Sequence, residues 1–361
     1  MERSEIQPFE QSQEKYEHWL SGQLDEVWED DLKEKHEKMR TGAFVFLRAT
    51  YWRWAETILT ICEDLAHAPM VIGVGDIHLE NYGVWRDREG RLVWGINDLD
   101  EAADMPYAVD VVRLAASAIL SRPAKRRARK DLCANILAGY RDGLASPRAF
   151  IIDEEHIWLR RLFAVSERER RRFWKKIDKL SNDSRITDRY RKPLESRVPE
   201  EGVTYDKFAR RAAGTGSLGR PRWVGLGDWR GGQFVREAKA IVPSAWSLAH
   251  PRPRAHARPG ALLAAGRFRA PDPWYQVHRT VVVRRLSPNA RKIEVKDHPD
   301  ELADPAMLAA MGYELANVHQ GTADVRKAIR RDLDQRGDKW LVRSAETAAE
   351  FVSADFQEWR G

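Results

Sequence analysis

Residues 75–81 read GDIHLEN and directly follow a short apolar run at residues 70–74. A second polar stretch, INDLDE at residues 96–101, overlaps the end of the next apolar run. Both runs have the length and composition of buried strands, so we expect the polar side chains to meet at neighbouring strand ends. Carboxylate and amide oxygens suit Mg²⁺, which leaves positions for the phosphate oxygens of a substrate. The two stretches therefore predict nucleotide chemistry, although Asp and Asn in loops also serve as turn and capping residues.

A glycine-rich region lies further along the chain. Residues 214–219 read GTGSLG, which fits G-x-G-x-x-G, and residues 234–239 read FVREAK. Glycine turns between apolar residues are typical of tight antiparallel strands. In phosphoryl transfer, a glycine loop covers the phosphates with its N–H groups and a lysine on a nearby strand neutralises charge. The predicted phosphate-binding residues are Gly214, Gly216, Ser217, Gly219 and Lys239.

The weak point of this interpretation is that G-x-G-x-x-G alone has little specificity. A glycine-rich hairpin without a ligand has the same pattern. A dinucleotide-binding turn fits less well, because it should open a helix and the residues after Gly219 (RPRWV) have an extended pattern.

Composition limits the classes of protein that fit. The chain has 361 residues, which favours two lobes, and its 43% hydrophobic content excludes a disordered or collagen-like chain. The formal net charge of +6 suits anionic ligands but does not require nucleic acid. Cys62 and Cys133 are too few for a disulfide framework, so we expect reduced core thiols. The apolar stretches are too short to span a bilayer, and a cytoplasmic protein without a membrane partner is expected.

The order of patterns along the chain predicts an α+β fold. Helical periodicity dominates before residue 65, between residues 109 and 191, and after residue 304, whereas residues 71–100 and the glycine-rich region have strand patterns. We therefore predict three segments. They are a helical lobe with the catalytic loop (1–202), a β-rich nucleotide lobe (203–300) and helices that return to the helical lobe (301–361).

The five-residue spacing of Asp76 and Asn81 carries a family resemblance. It resembles the catalytic loop H-G-D-x-x-x-x-N of protein-kinase-like phosphotransferases in the aminoglycoside and choline kinase branch. Asp98 then resembles the second metal ligand, and Asp110 and Arg113 resemble residues of a segment that supports the loop. The resemblance implies that Asp76 orients or deprotonates an acceptor hydroxyl, that Asn81 and Asp98 hold Mg²⁺, and that ATP is the donor.

The chain order differs from that branch. Residues 315–319, LANVH, resemble the L-A-x-L-H helix end that precedes the catalytic loop there, yet they lie near the C-terminus here. A two-lobed protein-kinase-like fold in circularly permuted order accommodates this placement, because chain termini often lie close together on the surface. The fold would have a helical lobe and a small antiparallel β lobe.

The whole set of motifs also resembles the uncharacterised bacterial family DUF2252. That family has G-D-x-H-x-x-N, N-D-x-D-E, G-x-G-S-x-G and a later lysine strand, and the match here covers roughly residues 40–322. A helix Glu that would pair with Lys239 is missing. Because side chains alternate along a strand, Glu237 shares a face with Lys239 and is expected to be the substitute partner.

The predicted function is an ATP- and Mg²⁺-dependent phosphotransferase with nucleotide and acceptor as partners. The acceptor is a small molecule or a protein side chain, and nucleotidyl transfer is an alternative to phosphoryl transfer. Val74, where that branch has His, leaves a catalytically degenerate nucleotide binder as an alternative.

Two further alternatives come from other features of the sequence. A metallophosphoesterase could use Asp76 and His78 as metal ligands, because GDIH at residues 75–78 fits its G-D-x-H motif. A basic nucleic-acid-binding protein could use residues 125–130 and 168–176 with Trp158 and Trp174, although nucleic acid is not the expected partner.

Overall fold

The structure is a computed structural model that describes residues 6–122, 125–196, 204–253, 255–337 and 339–361. It is a mixed α+β fold with small antiparallel sheets, as predicted. The helices are α1 (Phe9–Gln23), α2 (Glu29–Met39), α3 (Ala43–Ala49), α4 (Tyr51–Ile61), α5 (Tyr107–Ser121), α6 (Arg126–Ala145), α7 (Ile157–Leu162), α8 (Glu167–Asp178), α9 (Asp188–Glu195), α10 (Ala245–Ala249), α11 (Pro259–Ala264), α12 (Pro299–Leu302), α13 (Pro305–Gln320), α14 (Arg326–Arg336) and α15 (Trp340–Arg360). The strands are β1 (Met70–Gly73), β2 (Tyr82–Arg86), β3 (Leu92–Ile96), β4 (Ala103–Pro106), β5 (Thr204–Arg210), β6 (Arg222–Trp229), β7 (Gly232–Ala240), β8 (Gln276–His278) and β9 (Val281–Leu286).

Two short antiparallel pairs bring the first polar loops together. β2 and β3 form an antiparallel hairpin, with Tyr82 opposite Ile96. β1 pairs with β4, and Gly73 lies opposite Ala103. The loop 74–81 runs from β1 to β2, and the loop 97–102 runs from β3 to β4. Because both loops connect the same two strand pairs, they lie side by side.

The glycine-rich region forms a five-stranded antiparallel sheet in the order β5-β6-β7-β9-β8. Residues 211–221 connect β5 with β6, and a tight turn with Arg230 and Gly231 at positive φ connects β6 with β7. The predicted glycine turn between these strands is therefore confirmed. The predicted boundary between residues 202 and 203 lies outside the described residues.

A buried helix organises the remaining core. In α5 the stretch from residue 107 to 119 is buried on every side, which agrees with a sequence that is apolar around the whole helix. Helices α6, α13 and α15 pack against it. The last helices of the chain therefore share one core with the segment that carries the loops 74–81 and 97–102.

Glycines allow α13 and α6 to approach each other closely. A Cβ at Gly139 would lie 1.8 Å from the carbonyl oxygen of Ala309, and a Cβ at Gly312 would lie 2.1 Å from that of Ile136. Neither distance is compatible with a side chain, so this contact requires glycine.

Two sequence predictions were that the cysteines are reduced and buried and that the apolar segments are too short to span a membrane. Cys62 and Cys133 are both buried and unpaired, as predicted. Among the described helices, none combines the length and the apolar character that crossing a bilayer requires.

We expect Gly312→Ala to lower the free energy of unfolding by about 1–3 kcal/mol, because the methyl group would force two helix backbones apart. Gly22→Ala is the matched control, since Gly22 lies in α1 with nothing within 4 Å of a Cβ. That substitution should be neutral or stabilising by up to about 1 kcal/mol. Urea unfolding followed by tryptophan fluorescence measures both, and equal midpoints would contradict the close-packing argument.

Candidate functional site

Asp110 in the first turn of α5 fixes the backbone of the loop 74–81. Its carboxylate accepts the N–H groups of Val74 (2.6 Å) and Gly75 (3.0 Å) and is completely buried. Gly75 has φ +79°, and a Cβ there would lie 2.3 Å from the carbonyl oxygen of Glu101. Any other residue would be strained and would clash at this position. The loop therefore starts from a backbone conformation set by one glycine and one carboxylate.

The end of α13 completes this buried support. The Nε2 of His319 lies 3.0 Å from Oδ2 of Asp110, and its Nδ1 lies 2.8 Å from the hydroxyl of Tyr140. All three side chains are completely buried. The LANVH helix end at residues 315–319 therefore supports the loop 74–81 through Asp110.

Asp76 lies in the wall of a cleft. Its Oδ1 accepts a hydrogen bond from the buried guanidinium of Arg113, which stacks on Tyr51 and Trp54. A Cβ on Gly216 would lie 3.4 Å from Oδ2, so the glycine segment sits against this second oxygen. Burial raises the pKa of Asp76, and Arg113 opposes that rise. The result is an oriented carboxylate with one oxygen towards the cleft.

Asn81 joins the two polar loops. Its Nδ2 donates to the carbonyl oxygens of Asp76 and Asp98, both at 3.0 Å, and its Oδ1 accepts the N–H of Asp98 at 2.8 Å. This buried side chain therefore holds both loops in register. A metal would have to use the remaining lone pair of Oδ1, so the ligand role of Asn81 stays a prediction.

Lys239 enters the same cleft from β7. Its Nζ lies 3.5 Å from Oδ1 of Asp98 and forms a closer ion pair with Asp100. Burial raises the pKa of Asp98, but Lys239 and Lys292 outweigh that effect and hold it well below its usual range. Asp98 is thus an ionised carboxylate that is 36% exposed in its side chain.

The expectation that Glu237 pairs with Lys239 is wrong. Glu237 is completely buried and binds Arg222 (2.8 Å), Arg284 (2.9 Å) and Arg211. Arg284 lies directly opposite Glu237 on β9, which explains why arginine takes the carboxylate. The alternation of side chains along β7 correctly placed Glu237 and Lys239 on the same face of the strand. It did not take into account the arginine side chains on the neighbouring strands.

The glycine segment is held over the loop by elements from the start of the chain. Gly214 and Gly219 have φ of +78° and +90°, and one 3₁₀ turn spans Thr215–Ser217. The N–H of Trp28 donates to the carbonyl oxygen of Gly219 at 3.0 Å. Of the five predicted phosphate-binding residues, Gly214, Gly216 and Ser217 line one cleft with Asp76 and Asp98. Lys239 reaches this cleft through its contact with Asp98, whereas Gly219 lies against Leu32 and Val27.

Two adjoining cavities make up this cleft. The smaller, of about 70 Å³, is lined by Asp76, the glycine segment and three aromatic residues. The larger, of about 910 Å³, has ten basic and five acidic residues in its wall. The residues common to both walls are Arg48, Asp98, Gly214, Thr215 and Lys292.

Several cationic residues of this site were missed by the sequence analysis, among them Arg220, Arg48 and Lys292. Arg220 binds Glu101 at 2.8 Å. It directly follows the glycine motif in the sequence, and this position could have identified it as a residue of the site. Arg48 and Lys292 belong to no motif. Lys292 reaches the cleft because the segment after β9 pairs with Gly83. Burial lowers the pKa of Lys292 to about 8.

The structure gives no support to the metallophosphoesterase interpretation. Within the described ranges, no group of three or more His, Cys, Asp or Glu side chains has a metal-binding arrangement. The Nδ1 of His78 accepts the N–H of Glu80, and burial holds the pKa of His78 well below its usual range.

The fold and the cleft together define an α+β protein whose charged site is assembled from distant loops. A family model described as "Uncharacterized protein conserved in bacteria" (DUF2252) matches residues 28–183 and 159–361, and the chain belongs to this family. The resemblance of the motifs to the DUF2252 family is thereby confirmed. Searches of curated proteins and of solved structures found no match.

We expect Asp110→Asn to destabilise the protein by about 2 kcal/mol or more, because an amide has one acceptor oxygen for several buried donors. Amide exchange at Val74 and Gly75 should also accelerate. Ser117→Ala removes a different acceptor of the same loop, at the N–H of Leu79, and should cost about 1 kcal/mol. Unchanged unfolding and exchange in Asp110→Asn would contradict the proposed support of the loop.

Proposed function

We propose that the protein is an ATP- and Mg²⁺-dependent phosphotransferase acting on a hydroxyl-bearing acceptor, with a protein-kinase-like fold in circularly permuted order. One observation carries the proposal: Asp76, Asp98, Lys239 and the glycine segment 214–219 converge on one cleft, although they are far apart in sequence. These are the residue types that phosphoryl transfer requires in one place.

The order of parts within the five-stranded sheet supports the nucleotide lobe. In protein kinases a glycine loop covers the phosphates and the lysine lies on the third strand. Here the glycine segment connects the first two strands of the sheet, β5 and β6, and Lys239 lies on the third, β7.

The charge of the larger cavity supports a polyphosphate ligand. Arg211, Arg222 and Arg284 surround the single carboxylate of Glu237, which leaves an excess of positive charge in the wall. Guanidinium groups fixed by such pairing are well placed to bind phosphate oxygens. A volume of about 910 Å³ also falls within the range of nucleotide-sized pockets.

The carboxylate and amide oxygens in the cleft suit Mg²⁺ bound together with a nucleotide. Mg²⁺ there takes one or two carboxylates and completes its shell with phosphates and water. Asp98 and Asp76 both line the smaller cavity, and their side chains are 36% and 22% exposed. Asp98 and Asn81 would hold the ion, which when bound neutralises charge on the phosphates.

In the proposed reaction the protein positions two substrates and accepts a proton. Backbone N–H groups of the glycine segment and Lys239 hold the phosphates of ATP. Asp76, held by Arg113, accepts the proton of the acceptor hydroxyl at Oδ2. The acceptor oxygen bonds to the γ-phosphorus while the bond from that phosphorus to the bridging oxygen breaks, and ADP leaves.

We expect Mg²⁺-ATP to bind and to raise the melting temperature by several degrees, since saturation at about a hundred times Kd adds about 2.7 kcal/mol. Asp98→Ala should lose most Mg²⁺-dependent affinity. Asp76→Asn should keep nucleotide affinity but lose about a hundredfold or more of ATP turnover, because it removes the proton acceptor. Calorimetry and ADP release measure the two effects.

Asp206→Asn is the matched control for these variants, since Asp206 is exposed on β5. Urea unfolding of each variant is needed as well, because Asp76→Asn leaves Arg113 buried without its charge partner. No binding of any nucleotide by the wild type, with or without divalent metal, would refute the proposal. Binding with turnover that Asp76→Asn leaves intact would refute the role of Asp76.

Lys292 makes nucleotide affinity depend on pH. Burial favours its neutral form, so its charge is present below a pKa of about 8 and is lost as the pH rises through that value. Affinity for Mg²⁺-ATP should therefore fall as the pH rises above about 8, by at most tenfold per pH unit. Lys292→Arg should remove this decline, and an identical pH profile in both proteins would exclude Lys292 from phosphate binding.

A further inference from the structure

The ammonium of Lys239 lies between two carboxylates of the loop 97–102. Its Nζ is 3.5 Å from Oδ1 of Asp98 and forms a closer ion pair with Asp100. The side chains of Lys239 and Asp100 are 2% and 8% exposed, so this pair is buried, whereas Asp98 faces the cleft. No other described residue forms an ion pair with the ammonium. Asp100 is therefore the main partner of a lysine that has no helix Glu beside it.

The loop that carries Asp100 is fixed on both sides of this residue. On one side, Asn81 binds the backbone N–H and carbonyl groups of Asp98. On the other side, the carboxylate of Glu101 accepts the N–H of Ala245 at 2.8 Å. In protein kinases the strand lysine pairs with a glutamate on a helix, and the position of that helix controls the pair. Here the partner belongs to the same loop as the proposed metal ligand, so the pair is present whenever this loop is folded.

The ammonium in this position opposes the binding of a free divalent ion to Asp98. An Mg²⁺ ion about 2.1 Å from Oδ1 of Asp98 would lie within about 6 Å of Nζ of Lys239. Like charges at that separation repel each other strongly where water is scarce. Lys292, Arg284 and Arg222 add further positive charge near the same carboxylate. Among the residues that the structure describes, no group of three or more His, Cys, Asp or Glu side chains is arranged to offset this repulsion.

A phosphate-bearing ligand changes the balance of charge around Asp98. Its negative charge offsets that of the nearby cations, and its oxygens supply the ligands that Mg²⁺ needs besides one or two carboxylates. Because an ammonium has three donors, Lys239 can donate to a phosphate and keep Asp100 as its partner. A metal ion that is repelled from the empty cleft is therefore accepted together with phosphate.

We propose that Asp100 is the positioning residue of Lys239, and that the lysine held in this way keeps divalent metal off Asp98 until a phosphate-bearing ligand enters the cleft. The inference rests on the proposed function, because it takes Asp98 as the metal-binding carboxylate. Metal and nucleotide then bind as a unit. Without Asp100, Lys239 pairs with Asp98 instead and competes with the metal.

Relaxation of water protons by Mn²⁺, which accelerates when the ion is bound to a protein, tests the exclusion without any turnover. The wild type should bind no Mn²⁺ alone at millimolar concentration and should bind it with a non-hydrolysable ATP analogue. Lys239→Met should bind Mn²⁺ without nucleotide, because two carboxylates lose their cation, and adding Asp98→Ala should abolish this binding. Lys175→Met is the matched control, since it removes the same charge at an exposed position on α8 that lines neither cavity of the cleft.

Asp100→Asn tests the positioning role by calorimetry with the same analogue. We expect the gain in affinity that Mg²⁺ provides to fall about tenfold or more, because Lys239 then competes with the metal for Asp98. A merely structural effect would lower affinity equally with and without Mg²⁺, so an unchanged gain would overturn the positioning role. Asp206→Asn, exposed on β5, is the matched control.

The outcomes separate this inference from the proposed function. Mn²⁺ binding by the wild type that is as tight without the analogue as with it would overturn the exclusion. The same conclusion would follow if folded Lys239→Met bound no Mn²⁺, or if Asp98→Ala left its binding intact. Both variants leave a buried charge without its partner, which is destabilising, so urea unfolding accompanies each and the wild-type comparison stands without them. Absence of nucleotide binding with any metal would refute the phosphotransferase instead, and the comparison of wild type with Lys239→Met in Mn²⁺ alone would still decide the exclusion.

Discussion

The completely buried carboxylate of Asp110 is the constraint on which the cleft depends. A carboxylate loses a large hydration energy when it is buried, and only charge-assisted hydrogen bonds compensate for that loss. Here the loop backbone at Val74 and Gly75 and the ring of His319 supply them. One side chain therefore fixes the loop that presents Asp76, the first turn of α5 and the end of α13 relative to each other. The position of Asp76 is a consequence of this local requirement.

Charge pairing organises the rest of the site. Arg113, Arg220 and Lys239 each neutralise a carboxylate at the edge of the cleft, and the pairs hold the side chains in fixed directions. Preorganised charges of this kind need no rearrangement when a ligand enters. Around Glu237 three arginines face one carboxylate, so this part of the wall carries an excess of positive charge. The pattern of ion pairs therefore sets the local charge along the cleft.

Local patterns predicted the parts of the site that depend on local chemistry. The meeting of the loops 74–81 and 97–102 was predictable, because the apolar runs that precede them have the length and composition of buried strands. The β1–β4 pairing was not predicted, since β4 reads ADMP and has no strand periodicity. Lys292 and the partners of Glu237 could not be predicted because they depend on cross-strand contacts between distant segments. The permuted kinase-like arrangement remains a prediction.

Because α13 packs against α5 and α6, the core that these three helices share can form only after α13 has been synthesised. Translation delivers the loop 74–81 long before α13, so the faces of α5 and α6 that α13 covers stay without their partner while the five-stranded sheet is made. Contacts of such large sequence separation also slow folding, because the intervening chain must be closed into a loop first. The nascent chain therefore exposes this apolar surface from the synthesis of α6 until α13 has been made. Such transient exposure favours aggregation during synthesis, independently of how stable the finished molecule is.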